Sequence, residues 1–276
     1  MLPIRDNNPT RHVAFVTLAL IAANVLVFVL WQPTFAGGNS ELKQQTFYWC
    51  HALIPYEVSH ETSLAEGGLG AARALQRVYG DASDPTLGQQ IQDYLGGQCR
   101  HKSWLETVFV SMFLHAGLLH IGGNMLFLWI FGNNIEDRLR PFAFLLFYLA
   151  GGIAATALEV ALAPGSTLPG LGASGAIAAV LGTYLVLYPR ARITTLVFFF
   201  FITVIELPAL VVLGAWFLLQ LFSGVGQLGT HVETGGVAYS AHIGGFVFGL
   251  AIGLLLRSWD RGRPATRSLQ PRPDFP

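Results

Sequence analysis

Four polar side chains stand in stretches of sequence that are otherwise apolar: Ser174 in GLGASGAIAAVLG, His242 in AYSAHIGGFVFG, and His120 and Asn124 in HAGLLHIGGNMLF. Polar groups inside long apolar runs are expensive to bury, so each is a candidate for function. Taken singly, each has a plainer reading: a serine among small residues packs helices closely, and a buried His or Asn hydrogen-bonds to a neighbour. Taken together they are a hydroxyl nucleophile, an imidazole base and two side-chain donors. The base would accept the hydroxyl proton during attack on a carbonyl, and the donors would hold the negative charge that develops on its oxygen. That set serves acyl transfer to water, the hydrolysis of an amide. No cofactor and no metal is called for.

These residues need elements to carry them. The chain has 276 residues, 53% hydrophobic and 12% charged, with no net charge. Soluble domains carry about twice that share of charge, and zero net charge gives no electrostatic case for nucleic acid. The apolar residues fall in long runs, which predicts an all-α membrane protein with six spans at 13–31, 113–134, 142–163, 172–188, 205–223 and 238–256. The first run is too long for a signal peptide and lacks a convincing cleavage site after it. The stretch TTLVFFFFITV precedes the fifth span, whose start is set by Pro208; it is read as an interfacial or re-entrant piece.

Eleven of the sixteen Lys and Arg residues fall on the side that holds both termini, which the positive-inside rule makes cytoplasmic. The chain divides into a cytoplasmic segment 1–12, a membrane domain 13–257 with a long extracytoplasmic loop 32–112, and a Pro- and Arg-rich tail 258–276 expected to be disordered. The loop carries both cysteines, Cys50 and Cys99. Outside the cytosol they can pair, and a bridge between them is the expectation against two separate thiols.

Depth ties the polar residues together. Ser174 lies 16 residues before Arg190, His242 lies 15 before Arg257, and His120 lies 16 before Glu136. At the helical rise each would sit about 23 Å above the cytoplasmic boundary, near the outer surface of a core about 30 Å thick. In the last span Ala241, Gly245, Gly249 and Gly253 repeat every four residues. Gly175 and Ala179 offer a matching narrow face on the fourth, so two touching backbones would bring Ser174 to His242. The Gly- and Pro-rich LAPGSTLPGLGA puts Ser174 in a first helical turn, where unpartnered N–H groups suit an oxyanion.

HAGLLHIGGN, GASG and AHIGGFVFG, in this order and spacing, make the sequence resemble the rhomboid family of intramembrane serine proteases in its six-span bacterial form. The resemblance covers about residues 13–257 and implies a Ser174–His242 dyad without an acidic third member. It implies an oxyanion hole from the Ser174 N–H, His120 and Asn124, a structural role near the site for His115, and structural glycines at Gly172, Gly175, Gly245 and Gly249. EDR at 136–138 matches a motif that braces the cytoplasmic end. The implied partners are the lipid bilayer and the transmembrane helix of a single-span substrate, cut near its extracytoplasmic end. The implied location is a bacterial cytoplasmic membrane. Two departures stand out: Ala178 replaces the aromatic residue that commonly stacks on the catalytic histidine, and Trp104 is followed by Leu105 rather than Arg.

Other classes fit less well. A catalytically inactive rhomboid-like protein that binds membrane clients would lose the Ser or the His, and both are present. A transporter needs a polar path to both sides, whereas the polar groups here gather in the outer half, with Glu159 and Glu206 read as lying near span ends. His-Glu-x-x-His is absent, as is a pair of mid-span aspartates.

Overall fold

A computed structural model of the chain describes residues 2–35, 40–79, 86–99, 102–198, 202–230 and 239–261. It is predominantly helical. Helix α1 (Phe15–Leu26) runs on through a wider turn to Trp31. Helix α2 (Ser40–His51), α3 (Pro55–His60), α4 (Gly68–Tyr79), α5 (Leu87–Gln98) and α6 (Trp104–Val110) fill the stretch read as the first loop. Helix α7 (Leu118–Phe127) continues through a wider turn into α8 (Asn133–Leu139). The long helices α9 (Pro141–Leu162), α10 (Ser174–Leu187), α11 (Ala209–Thr230) and α12 (Tyr239–Arg261) follow. Among the described residues, Pro141–Leu162 and Tyr239–Trp259 are long and apolar enough to cross a membrane. Trp104–Phe113 and Leu118–Leu139 would make a third if taken as one broken span, bent by 80°.

The apolar runs therefore become helices, but three boundaries and one element differ from the sequence reading. The second run does not start at Phe113: residues 114–117 break the helix, and it resumes at Leu118. The last helix extends to Arg261, so the start of the expected tail is helical; the remainder lies outside the described residues. The fifth helix begins at Ala209, after Pro208. The described residues of the stretch read as an interfacial or re-entrant piece are not helical. They are strands β2 (Arg192–Phe198) and β3 (Ile202–Pro208), antiparallel, with β1 (Leu2–Asp6) added to the far edge of β2. The reason is composition: Ile193, Thr194, Thr195, Val197, Thr203, Val204 and Ile205 are β-branched and fit a pleated ladder better than a helix. Glu206 is thus a strand residue, and its Oε1 accepts from Asn7 Nδ2 at 2.9 Å.

Helix α10 is the centre of the bundle. Every residue from Gly175 to Tyr184 is buried. At 14 residues it is only about 21 Å long, so its N-terminus ends inside the thickness that its neighbours cover. EDR ties the opposite end down. Glu136 accepts from the N–H groups of Val16 and Thr17 at 2.9 and 2.7 Å, the start of α1, where a carboxylate meets the positive helix end. Asp137 accepts from Arg11 N and His12 N at 3.1 and 3.0 Å. Tyr184 on α10 donates to Asp6 Oδ2 at 2.7 Å, fastening β1 beneath the core.

Helices α2 to α5 share a small core of their own around Ile54, Leu64, Leu75 and Leu95. Cys50 and Cys99 are bridged, with Cα atoms 4.9 Å apart. Beside the bridge, Lys102 Nζ meets Glu57 Oε2 at 2.6 Å, both side chains almost fully buried. Burial pushes the Glu57 carboxyl up and the Lys102 ammonium down from their ordinary ranges, and their mutual attraction opposes both shifts.

Candidate active site

The loop before α10 is hung from the stretch before α7. Gly170 N–H donates to Leu53 O at 2.7 Å, Gly172 N–H to Ser111 O at 2.9 Å, and Tyr56 N–H to Ser166 O at 2.9 Å. Gly172 has φ +121°, which a side chain would resist. The loop then turns into α10 with Ser174 as its first residue and no side-chain cap on the first turn.

Close backbone contact sets the lateral position. A Cβ at Gly245 of α12 would drive into the carbonyl of Gly175, and one at Gly249 into that of Ala179. Thr183 Oγ1 donates across this seam to Gly249 O at 2.8 Å. On the other flank a Cβ at Gly151 of α9 would stand 2.6 Å from Ala179 Cβ. Because α10 and α12 touch at Gly175 and Gly245, the residues just outward of that contact meet, Ser174 one position before Gly175 and His242 three before Gly245: Ser174 Oγ lies 2.7 Å from His242 Nε2.

His242 is gripped from α11. Its Nδ1 lies 2.7 Å from Gln220 Oε1. Trp216 packs against the ring with centroids 5.9 Å apart, and Tyr239 meets it edge-on at 6.4 Å. Trp216 thus occupies the ring's flank where Ala178 offers no aromatic group. None of Gln220, Trp216 or Tyr239 was singled out from sequence. Gln220 carried a signal, a polar side chain in the apolar run AWFLLQLF.

His120 and Asn124 converge on Gly172. A Cβ there would lie 2.8 Å from His120 Nε2 and 3.6 Å from Asn124 Nδ2. His120 Nδ1 accepts from Ala116 N–H at 3.3 Å, so in the neutral ring the proton sits on Nε2, the nitrogen that faces the loop. Asn124 Nδ2 is buried with no hydrogen-bond partner, a cost that a bound acceptor would relieve. His115 is buried and meets His120 edge-on at 5.0 Å. Its backbone is pinned by Gln32, whose Oε1 accepts from His115 N at 3.0 Å and whose Nε2 donates to His115 O at 2.9 Å. A cavity of about 40 Å³ opens beside Ser174, lined by Met112, Gly152, Ala155, Thr156 and Gly170 among others. Among the described residues no three His, Cys, Asp or Glu side chains are grouped to hold a metal.

The structure thus brings a hydroxyl against an imidazole, with His120 and Asn124 set across a narrow cavity, inside a helical bundle. The family model described as "Rhomboid domain" matches residues 101–259, more than half of the chain, and the chain belongs to the rhomboid family. It is 29% identical over 202 residues to Rhomboid protein 1, mitochondrial, of Saccharomyces cerevisiae, covering 72% of this chain and 54% of that protein. RHOMBOID-like protein 12, mitochondrial, of Arabidopsis thaliana is 32% identical over 153 residues, 50% of this chain and 45% of its own. The human Presenilin-associated rhomboid-like protein, mitochondrial, is 27% identical over 168 residues, 60% and 42%. The chain spans about half the length of the curated relatives it matches. It is an integral membrane protein. The expected bacterial cytoplasmic membrane finds no support in these relatives, whose names place them in mitochondria.

Proposed function

We propose that the chain is an intramembrane serine endopeptidase that cuts single-span membrane proteins near the extracytoplasmic end of the span. The observation that carries this reading is the 2.7 Å contact between Ser174 Oγ and His242 Nε2, within reach of proton transfer. His242 Nε2 takes the Ser174 proton as Oγ bonds to the substrate carbonyl carbon. The Ser174 N–H, His120 Nε2–H and Asn124 Nδ2–H hold the oxyanion. Collapse breaks the C–N bond, the amine leaves with the proton from His242, and a water then releases the acyl group from Oγ by the same exchange. The bundle crosses the bilayer six times, with the Arg-rich side cytoplasmic and helices α2 to α6 outside. Water reaches Ser174 from that outer side.

The substrate must present an extended peptide, since a helix keeps its carbonyls in its own hydrogen bonds. Helix-weakening residues in the outer part of the substrate span therefore favour cutting. The cavity beside Ser174 is lined mostly by small residues, so a small side chain such as alanine precedes the cut bond.

The test is cleavage of a generic single-span substrate in liposomes, read by mass spectrometry, alongside labelling with a serine-directed fluorophosphonate. Ser174→Ala and His242→Ala should each abolish cleavage, and Ser174→Ala should abolish labelling, with folding intact. Normal turnover by Ser174→Ala refutes the mechanism. Binding of an uncut substrate by the unmutated chain, without labelling, would instead mark an inactive client-binding relative.

A further inference from the structure

We propose that Gln220 is a positioning residue that fixes the tautomer of His242, making a neutral third member of the Ser174–His242 pair. The inference rests on the proposed protease reading, but its geometry stands apart from it. An amide oxygen accepts hydrogen bonds and cannot donate them. Gln220 Oε1 at 2.7 Å from Nδ1 therefore requires the ring proton on Nδ1. That leaves the Nε2 lone pair open toward Ser174 Oγ, 2.7 Å away on the other side of the ring. The hydroxyl must then donate to Nε2, which is the direction in which a base takes its proton.

The supports on α11 act as one face. Trp216 and Gln220 are four residues apart, so they stack on the same side of the helix. Trp216 touches the flank of the His242 ring while Gln220 holds its Nδ1 edge. The imidazole is fixed in rotation by one and in proton position by the other. An amide suits this place better than a carboxylate would, because an unpaired charge in an apolar bundle is costly and a neutral dipole is not. The acceptor still stabilises the imidazolium as it forms, more weakly than an anion would.

The experiment compares Gln220→Leu and Gln220→Glu with the unmutated full chain in liposomes, measuring kcat and KM across pH. Gln220→Leu removes the acceptor at similar volume and should lower kcat by about 10–100-fold, with KM within about twofold. Gln220→Glu keeps an acceptor. It should recover most of the rate and move the acid limb of kcat to higher pH, because a carboxylate favours the imidazolium. Turnover of Gln220→Leu within twofold of the unmutated chain overturns the inference. So does equal impairment of both variants with an unmoved acid limb, which is what packing alone would give. A second measurement needs no variant at position 220. Nitrogen-15 spectra of labelled histidines, with His242 assigned by its loss in His242→Ala, should show the Nδ1–H form; an Nε2–H form overturns the inference. If the unmutated chain cuts no substrate, the protease reading fails while the tautomer result still decides the role of Gln220. Active enzyme insensitive to Gln220→Leu sinks the inference alone.

Discussion

Gly175→Ala asks how tightly the site is held. The added Cβ would stand 2.6 Å from Ala155 Cβ on α9, whereas two such carbons settle about 3.5–4.0 Å apart. Helices α9 and α10 must separate by roughly 1 Å. Movement toward α12 is blocked, because Gly245 already packs against the Gly175 carbonyl. Overpacking of this kind costs about 1–3 kcal/mol, to be read as a lowered thermal midpoint. The effect on rate should be larger in proportion. Ser174 is the preceding residue and moves with Gly175, and a misplacement of about 1 Å can cost about 10²-fold. Turnover should therefore fall by about 10–100-fold, with a parallel fall in the rate of fluorophosphonate labelling. The control is Ala155→Gly in the same chain. It deletes the clashing atom, and the next nearest contact, Ala241 O, lies at an ordinary 3.9 Å. The double variant should recover to within about threefold of wild type, the signature of two residues coupled by contact. A Gly175→Ala rate within twofold of wild type, or a double variant as slow as the single, would refute the packing argument.

Two other expectations concern the oxyanion donors and the bridge. Asn124→Ala should slow turnover by about 10²–10³-fold, the usual cost of losing one such donor, while labelling at Ser174 persists; a rate within twofold would leave Asn124 a packing role only. Peptide mapping without reductant should recover Cys50 linked to Cys99, and reduction should destabilise the α2–α5 core by up to about 4 kcal/mol in the chain-entropy model. Thiol labelling of both cysteines in untreated protein would rule the bridge out.

The residues that form the site were conspicuous in the sequence because a hydroxyl, two imidazoles and an amide have no cheap place in apolar runs. The small-residue seam was equally open to reading, since Gly245 and Gly249 recur at helical spacing and meet Gly175 and Ala179 in the structure. The three-stranded sheet was hidden for two reasons. Its β2–β3 hairpin is a continuous apolar run, and periodicity alone does not separate a buried strand from a helix. Its third strand, β1, comes from the other end of the chain, pairing Leu2 with Leu196, and no local pattern announces such a partner. Gln220 was visible as a polar side chain in an apolar run, but its role was not. An amide has no reactivity to advertise, and its role becomes visible only when the atom it faces is known to be His242 Nδ1.

The stretch from residue 32 to 112 carries the deepest lesson about position. From sequence it is a long polar loop that carries both cysteines. In the structure its backbone holds the loop that leads into Ser174: Leu53 O takes the N–H of Gly170, and Ser111 O takes that of Gly172. Gly172 is in turn the residue against which His120 and Asn124 are set. The bridge from Cys50 to Cys99 starts three residues before Leu53, and the buried Glu57–Lys102 pair lies four residues beyond it. Both fastenings therefore act on the segment that suspends the loop. Leu53 and Ser111, from the stretch before α7, supply backbone acceptors to that loop. Placement of Ser174 thus depends on contacts more than 60 residues distant in sequence, and the rigidity of α2 to α6 is part of the geometry of the site.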